Sequence, residues 1–333
     1  MKKYKVLVTG VAGFIGSHTA ELFLQKGYKV NGVDNLSTGN KKNLSYLKKY
    51  KNFKFLKDDL LKISNKKFYT ECKFIVHFAG LGDIVPSIEH PKKYIDNNFN
   101  ATLNLLELYK KIKIKKFVFA ASSSCYGIAK VPTKETDKID PQYPYSFSKN
   151  IAEQLVMHWG KIYKIPVNSI RIFNAYGTRS RTTGAYGAVM GIFLKQYLSK
   201  KPFTVVMDGN QRRDFVYVTD LAQAFFKASI TKYSNKIWNV GSGNPKSIKQ
   251  LCKIINPNNE IIYIPKRPGE PKITHSNILK IKKDLNWKPK VNLVSGIRII
   301  KKEIDYWNKA PLWNKNNIKK ATKLWFKYLD QKS

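Results

Sequence analysis

The sequence predicts an α/β fold, in which a doubly wound parallel sheet carries a smaller, interleaved C-terminal domain. Strand-like and helix-like segments alternate through the first half of the chain, and such units imply a parallel sheet with helices on both faces. A glycine-rich turn also separates the first strand from the first helix. The length of 333 residues, 43% of them hydrophobic, suits about two domains.

The first half supplies most of the predicted sheet. Apolar runs predict strands over Lys5–Thr9, Lys29–Asp34, Phe53–Leu56, Phe74–Phe78 and Lys116–Ala121. Helices are predicted over Phe14–Lys26 and Tyr94–Lys111, where apolar residues recur at helical spacing.

The second half is less regular. A loop rich in Gly, Tyr and Arg over Tyr176–Gly187 precedes a predicted helix, Val189–Ser199. Arg213–Ser229 and Ile237–Val240 read as one more helix and strand of the first sheet. The predicted boundaries are therefore 1–175 with 213–241 for the first domain, and 176–212 with 242–333 for the second.

Composition narrows the class of protein. The formal charge is +39, but only seven of the 61 Lys and Arg residues are arginine, the residue that nucleic-acid surfaces favour, so no nucleic-acid partner is expected. No apolar run reaches the roughly 18 residues of a membrane span, and the N-terminal segment lacks signal-peptide features. We expect a cytoplasmic chain without membrane insertion. The three scattered cysteines predict reduced thiols and no metal site.

The glycine motif predicts a dinucleotide site. Gly10, Gly13 and Gly16 allow a tight turn, close approach of a pyrophosphate and close packing of helix on strand. Asp34 ends the second strand, where a carboxylate accepts the ribose hydroxyls of NAD and repels the extra phosphate of NADP. The alternative is that Asp34 only caps a turn, as expected in Asp34-Asn35.

Two segments carry candidate chemistry. The fifth strand ends in the serine run Ser122–Ser124, and a helix begins at PYSFSK, Pro144–Lys149. Tyr145 and Lys149 lie four residues apart and so share a helix face. The lysine ammonium would favour a phenolate, which could accept a proton from a hydroxyl group. Alternatively, the pair are ordinary surface residues.

These motifs resemble, in order and together, the extended short-chain dehydrogenase/reductase family in its NAD-dependent sugar-nucleotide epimerase/dehydratase branch. The resemblance runs from Val6 to about Ile300. The motifs that carry it, besides those above, are Asp59-Leu60, HFAG (His77–Gly80), NNFNAT (Asn97–Thr102), RIFNAYG (Arg171–Gly177), GAYGAV (Gly184–Val189), RDFVYV (Arg213–Val218) and RPGE (Arg267–Glu270).

The resemblance implies a Rossmann domain, a UDP-hexose substrate, a homodimer and a set of site residues. The implied catalytic residues are Ser122, Tyr145 and Lys149. The implied NAD-binding residues are Gly10, Gly13, Phe14, Ile15, Gly16, Asp34, Asn35, Asp59, Leu60, Phe78, Ala79, Asn98, Tyr145 and Lys149. The implied substrate-binding residues are Ser123, Ser124, Asn174, Ala188, Val189, Arg213, Arg267, Glu270 and Thr274.

The serine run narrows the reaction. Dehydratases of the branch carry Thr-Asp-Glu at the end of the fifth strand, and decarboxylases usually keep a glutamate where Ser124 stands. The run looks most like that of UDP-hexose 4-epimerases, which invert C4 through a 4-keto sugar and restore NAD. A 4,6-dehydratase or a UDP-glucuronate decarboxylase remains the alternative.

Three features bear on the substrate and on the surface. Thr274 is small where glucose-specific relatives have tyrosine, so the resemblance implies room for N-acetylated or glucuronate sugars, and Arg179 and Arg181 could meet a C6 carboxylate. Asp83 replaces the lysine or serine often found after HFAG. The basic, aromatic segment Tyr306–Leu329 would cap the second domain or bind a dimer partner; the alternative is a membrane-surface helix.

Overall fold

The computed structural model describes residues 4–182 and 189–330. The strands are β1 (Lys5–Thr9), β2 (Lys29–Asp34), β3 (Phe53–Lys57), β4 (Phe74–His77), β5 (Lys116–Ser122), β6 (Val167–Ile172), β7 (Asn174–Tyr176), β8 (Phe203–Val206), β9 (Arg212–Arg213), β10 (Phe215–Tyr217), β11 (Lys236–Val240), β12 (Lys246–Ser247) and β13 (Ile261–Ile264). The helices are α1 (Phe14–Gln25), α2 (Lys41–Lys48), α3 (Lys66–Thr70), α4 (Ile84–Glu89), α5 (Pro91–Ile95), α6 (Ala101–Tyr109), α7 (Pro144–Ile162), α8 (Val189–Leu198), α9 (Val218–Ile230), α10 (Ile248–Ile255), α11 (Leu279–Leu285), α12 (Leu293–Lys302), α13 (Lys315–Ala321) and α14 (Lys323–Leu329).

Seven strands form a parallel sheet in the order β11-β6-β5-β4-β1-β2-β3. Helices α1 and α9 pack on one face, around a core that includes Phe23, Phe225 and Trp238. Helices α6 and α7 pack on the other face, around Leu105 and Phe117. The predicted doubly wound sheet is confirmed. Strand order reverses beside β1, so the carboxyl ends of β1 and β4 open a crevice there, where ligands bind in such sheets.

The predicted helix Tyr94–Lys111 is interrupted. Helix α5 passes through a π-helical turn, Asp96–Asn100, before α6 begins. Thr102 donates its hydroxyl hydrogen to the Asn98 carbonyl and also contacts His77, so the extra residue of the turn is held in place by buried side chains.

The prediction of a helix from Arg213 was wrong at its start, because the helix begins only at Val218. Arg212–Arg213 pairs with β12, and Phe215–Tyr217 pairs with β7 outside the central sheet. The buried Asp214 carboxylate accepts backbone amides of Ser242 and Ser276, which holds this stretch extended.

A second hydrophobic core lies beside the sheet. It gathers α8, β8, α10 and α12 around Phe193, Phe203 and Leu251. Phe215 and Tyr217 also belong to this core. We propose that the chain crosses from one domain to the other within residues 213–241. The other predicted domain boundaries stay a proposal.

The C-terminal segment folds back onto the protein. Trp307 and Ile318 are buried in the second core, and Trp325 of α14 is only 4% exposed. These buried aromatic and aliphatic side chains are not available to a membrane surface, so the capping interpretation fits the structure. Within residues 4–182 and 189–330, no helix is both long and apolar enough to span a bilayer.

Candidate active site

The turn from β1 to α1 depends on its glycines. Gly10 has φ +67°, and a Cβ there would lie 2.8 Å from the amide nitrogen of Ala79. A Cβ on Gly16 would lie 2.2 Å from the carbonyl oxygen of Gly10. Gly13 is the N-cap of α1 and has no side chain to cap the first amides, which belong to Phe14 and Ile15. The helix therefore presents its positive end to an anionic group.

Beyond this turn lies a cavity at the carboxyl ends of β1, β2 and β4. Predicted cofactor residues that line it are Gly10, Gly13, Asp34, Asn35, Asp59, Leu60, Phe78 and Ala79. The wall also includes Gly80 and Asn97 of the HFAG and NNFNAT motifs, and residues that the sequence did not indicate: Val33, Ser37, Thr38, Gly39, Asp58 and Leu81. This shape and its acidic end fit a dinucleotide.

Asp34 both shapes the turn and faces the cavity. Its two carboxylate oxygens accept the amides of Ala12 and Leu36, at 2.9 and 2.8 Å. Burial raises the pKa of this carboxyl, and the hydrogen bonds from Leu36 and Ala12 oppose that effect only in part. Asn35 donates to Asp59 at 3.0 Å, which ties together the loops after β2 and β3. Spare lone pairs on Asp34 leave it able to accept ribose hydroxyls.

Asn98 lies beside this cavity, but its side chain is already engaged. Its amide group exchanges two hydrogen bonds with the backbone of Leu81 and donates a third to Ser148. Asn98 therefore fixes the loop after β4, and it is its neighbour Asn97 that faces the cavity. Direct contact of Asn98 with the cofactor, as the resemblance implies, is not supported by this arrangement.

The candidate catalytic groups meet where β5 ends and α7 begins. Pro144 occupies the first position of α7, which favours helix initiation there and sets Tyr145 on the first turn. The hydroxyl groups of Ser122 and Ser124, whose oxygens are 2.7 Å apart, lower the pKa of the Tyr145 phenol. Ser123 follows Ser122 in a short 3₁₀ turn and is half-buried.

Burial raises the pKa of Tyr145, the Ser122 hydrogen bond lowers it, and the negative charge of Asp83 raises it again. Without a bound cation, the tyrosine is therefore held as a neutral phenol.

Lys149 is a buried ammonium. Burial lowers its pKa to about 8, with a smaller opposing effect from Glu153. Its Nζ lies 4.4 Å from the ring centre of Phe119. Among the described residues no acceptor takes a hydrogen bond from it, so its donors are available to ribose hydroxyls of a dinucleotide.

A buried charge cluster lies next to the tyrosines. Glu270 accepts hydrogen bonds from Arg213 at 2.7 Å and from Arg267 at 2.8 Å. The two guanidinium groups hold the pKa of Glu270 below its ordinary value despite burial. The ring of Tyr143 is nearly parallel to that of Tyr145, with centres 6.4 Å apart. The charge of Glu270 raises the pKa of Tyr143, and the charge of Arg213 lowers it. Three residues predicted to bind the diphosphate and the nucleoside ribose, Arg213, Arg267 and Glu270, thus form one cluster, and it acts on Tyr143, a neighbour of the candidate tyrosine Tyr145.

Thr274 and Asn174 are joined in this region. The Thr274 hydroxyl donates to Asn174 Oδ1 at 2.9 Å and accepts the Asp214 amide at 3.2 Å. Thr274 is half-buried and does not simply face solvent. Val189 begins α8, whereas Ala188 lies outside the described residues.

The prediction for Arg179 was wrong. Its guanidinium is buried, bonds to Glu21 and stacks 3.8 Å from the ring centre of Tyr46. It therefore clamps a loop onto α1 and α2 and does not reach a sugar. Arg181 instead pairs with Asp83 at 2.5 Å, beside Tyr145. Asp83 thus has a cationic partner, which explains how it is tolerated near an anionic substrate.

Comparison with known proteins decides the family. The model of the NAD dependent epimerase/dehydratase family matches residues 6–241. The chain belongs to this family. A UDP-glucuronate 4-epimerase of Thermodesulfobacterium geofontis is 35% identical to this family member, covering 94% of this chain and 96% of the relative.

Solved structures of the family agree with the fold. A UDP-N-acetylglucosamine 4-epimerase of Methanobrevibacter ruminantium, in complex with UDP-N-acetylmuramic acid, is 29% identical with a TM-score of 0.85, over 91% of this chain and 100% of the other. A UDP-glucuronic acid 4-epimerase of Bacillus cereus, in complex with UDP-glucuronic acid and NAD, is 31% identical with a TM-score of 0.84, over 92% and 99%. Nearly the whole length of these two structures is matched, whereas 8–9% of this family member is not.

Proposed function

We propose that this family member is an NAD-dependent 4-epimerase of UDP-sugars. The observation that carries the proposal is the end of β5, where Ser122 and Ser124 meet Tyr145 and no carboxylate stands in the serine run. A dehydratase or decarboxylase of the branch would need an acid or base there. Relatives and structural neighbours named as 4-epimerases of UDP-glucuronate, UDP-N-acetylglucosamine and UDP-glucose support the same reaction.

The residues of this chain divide the work between proton transfer and binding. NAD, when bound, supplies the reversible acceptor for the hydrogen at C4. The phenolate of Tyr145, which Lys149 and the positive ring of bound NAD would favour, accepts the proton of the 4-hydroxyl and later returns it, and Ser122 and Ser124 lower its pKa. Lys149 holds the ribose and adds positive charge nearby. Arg213 and Arg267, which are joined through Glu270, hold the diphosphate, because guanidinium groups match its geometry.

The wider assignment is also a proposal. We infer a cytoplasmic enzyme that acts as a homodimer and supplies sugars for polysaccharide synthesis, with no nucleic-acid partner. Lysines are spread over the whole chain, so the positive charge forms a solvated surface and not a nucleic-acid site.

The first experiment uses purified protein without added NAD. Incubation with UDP-glucose, UDP-N-acetylglucosamine and UDP-glucuronate is expected to give products of unchanged mass, because epimerisation neither adds nor removes atoms. Denaturation of the same preparation should release NAD, since the reaction restores it and the Asp34 carboxylate repels a 2′-phosphate. Loss of water or carbon dioxide from the substrate, or release of NADP, would contradict the proposal.

The size of residue 274 is expected to set sugar preference. Thr274→Tyr should lower kcat/KM for UDP-N-acetylglucosamine and UDP-glucuronate about tenfold or more relative to UDP-glucose, through steric exclusion. Thr274→Val is the matched control, because it removes the hydrogen bonds to Asn174 and Asp214 without adding bulk. The valine variant should affect all three substrates alike. A tyrosine variant that also affects them alike would remove residue 274 from the sugar pocket.

A further inference from the structure

The C-terminal helix α14 reaches the substrate side of the active site. Trp325, on its first turn, donates its indole N–H to the carbonyl of Pro268 at 2.8 Å. Pro268 lies between Arg267 and Glu270 in the RPGE motif. Helix α14 also packs against α4, which begins just after Asp83. The helix thus joins the two loops on either side of the catalytic tyrosine.

Trp325 also touches the side chains of this region. The guanidinium carbon of Arg267 lies 5.4 Å from its ring centre, and the ring of Tyr143 lies 6.3 Å away. Tyr143 in turn stacks parallel to Tyr145. A continuous row of side chains therefore runs from Arg267 through Trp325 and Tyr143 to the catalytic phenol.

We propose that Trp325 is a positioning residue for the nucleoside-diphosphate end of the substrate, acting through Arg267. The indole limits the rotation of the guanidinium from one face, while Glu270 fixes its edge at 2.8 Å. An arginine held on two sides loses less freedom when it binds a diphosphate, so the diphosphate is bound more tightly. The proposal rests on the proposed function only for the identity of the ligand.

Two variants separate this role from simple packing. Trp325→Leu keeps an apolar side chain but removes the aromatic face, and the Kd of the NAD-loaded enzyme for UDP is expected to rise about tenfold. Trp325→Phe keeps a smaller aromatic face and loses the N–H donor to Pro268, so a rise of about threefold is expected. Tyr328→Ala is the matched control, since Tyr328 lies on the same helix and is 55% exposed; its Kd should stay unchanged.

Isothermal titration with UDP tests binding without relying on turnover, so a failure here is distinct from a failure of the proposed epimerase reaction. In an Arg267→Ala background, Trp325→Leu should have no further effect on the Kd, because the tryptophan acts through that arginine. An unchanged Kd in Trp325→Leu, or an equal rise in Tyr328→Ala, overturns the proposal. If the leucine variant does not fold, the phenylalanine variant decides alone, and an unchanged Kd there has the same meaning.

Discussion

Tyr145→Phe is expected to lower kcat about 10²–10⁴-fold, the usual scale for a positioned acid or base. The phenol oxygen is the group that Ser122 and Ser124 orient, whereas the ring only packs against Tyr143 and Tyr94. The substitution removes the oxygen and leaves the ring. Bound NAD and the Kd for UDP should therefore stay close to those of the wild type, and single-turnover rates measure the loss directly.

Tyr143→Phe provides the comparison for that experiment. It removes a hydroxyl that also bonds to Ser124, two residues from Tyr145, but not the oxygen proposed to accept the proton. A loss below about tenfold is expected, since a single hydrogen bond of this kind contributes about 1 kcal/mol. If Tyr145→Phe kept near-normal turnover, or if the two variants lost activity equally, Tyr145 would not be the base.

Lys149→Met is expected to remove most of the enzymatic activity. The same substitution is expected to raise the free energy of unfolding of the protein without bound NAD. The pKa of Lys149 falls from 10.5 to about 8, because its charge is buried without a hydrogen-bonded counter-charge. Such a shift corresponds to a cost to folding of about 3 kcal/mol, as an order of magnitude. Methionine fills a similar volume without that charge. Urea unfolding at pH 7 should therefore show a higher free energy of unfolding for the variant.

The pH dependence of this difference follows from the direction of the shift. Below pH 8 the lysine is charged in both folded and unfolded chains, so the cost is complete and the advantage of the variant is largest. Between pH 8 and pH 10.5 the folded chain has released the proton and the unfolded chain has not, so the advantage declines. Unfolding curves at pH 7 and pH 10 check this. An advantage that grows with pH would contradict the assignment of a buried, unpaired ammonium.

The fold could be predicted because its signals are local. Strands β1 and β2 fall on the predicted residues, since short apolar runs bounded by turn residues determine both the element and its ends. The π turn at Asp96–Asn100 and the late start of α9 could not be predicted. Both depend on buried hydrogen bonds to residues distant in the chain, Leu81 for Asn98 and Ser276 for Asp214.

In the candidate site, too, local motifs predict some residues, whereas others depend on contacts distant in the sequence. Ser122, Tyr145 and Lys149 meet because one strand end and one helix start bring them together, and the motif spacing indicates both. The clamp made by Arg179 was missed, since nothing in its motif shows that Glu21, 158 residues earlier, is its partner. Trp325 was noted only as an aromatic residue in a basic segment. Its position over Arg267 depends on the path of the whole C-terminal segment.

Helix α1 makes two kinds of contact through different parts of its surface. Its N-terminus is open toward the dinucleotide, and its next turns are held by His18 and Glu21 to Thr178 and Arg179, on the loop that follows β7. Thermodynamic reciprocity applies to such an arrangement. If NAD binding changes the affinity for the sugar nucleotide through this helix, sugar-nucleotide binding changes the affinity for NAD by the same factor. A favourable coupling would hold the cofactor most firmly while substrate is present, when an escaping dinucleotide would strand the ketone intermediate.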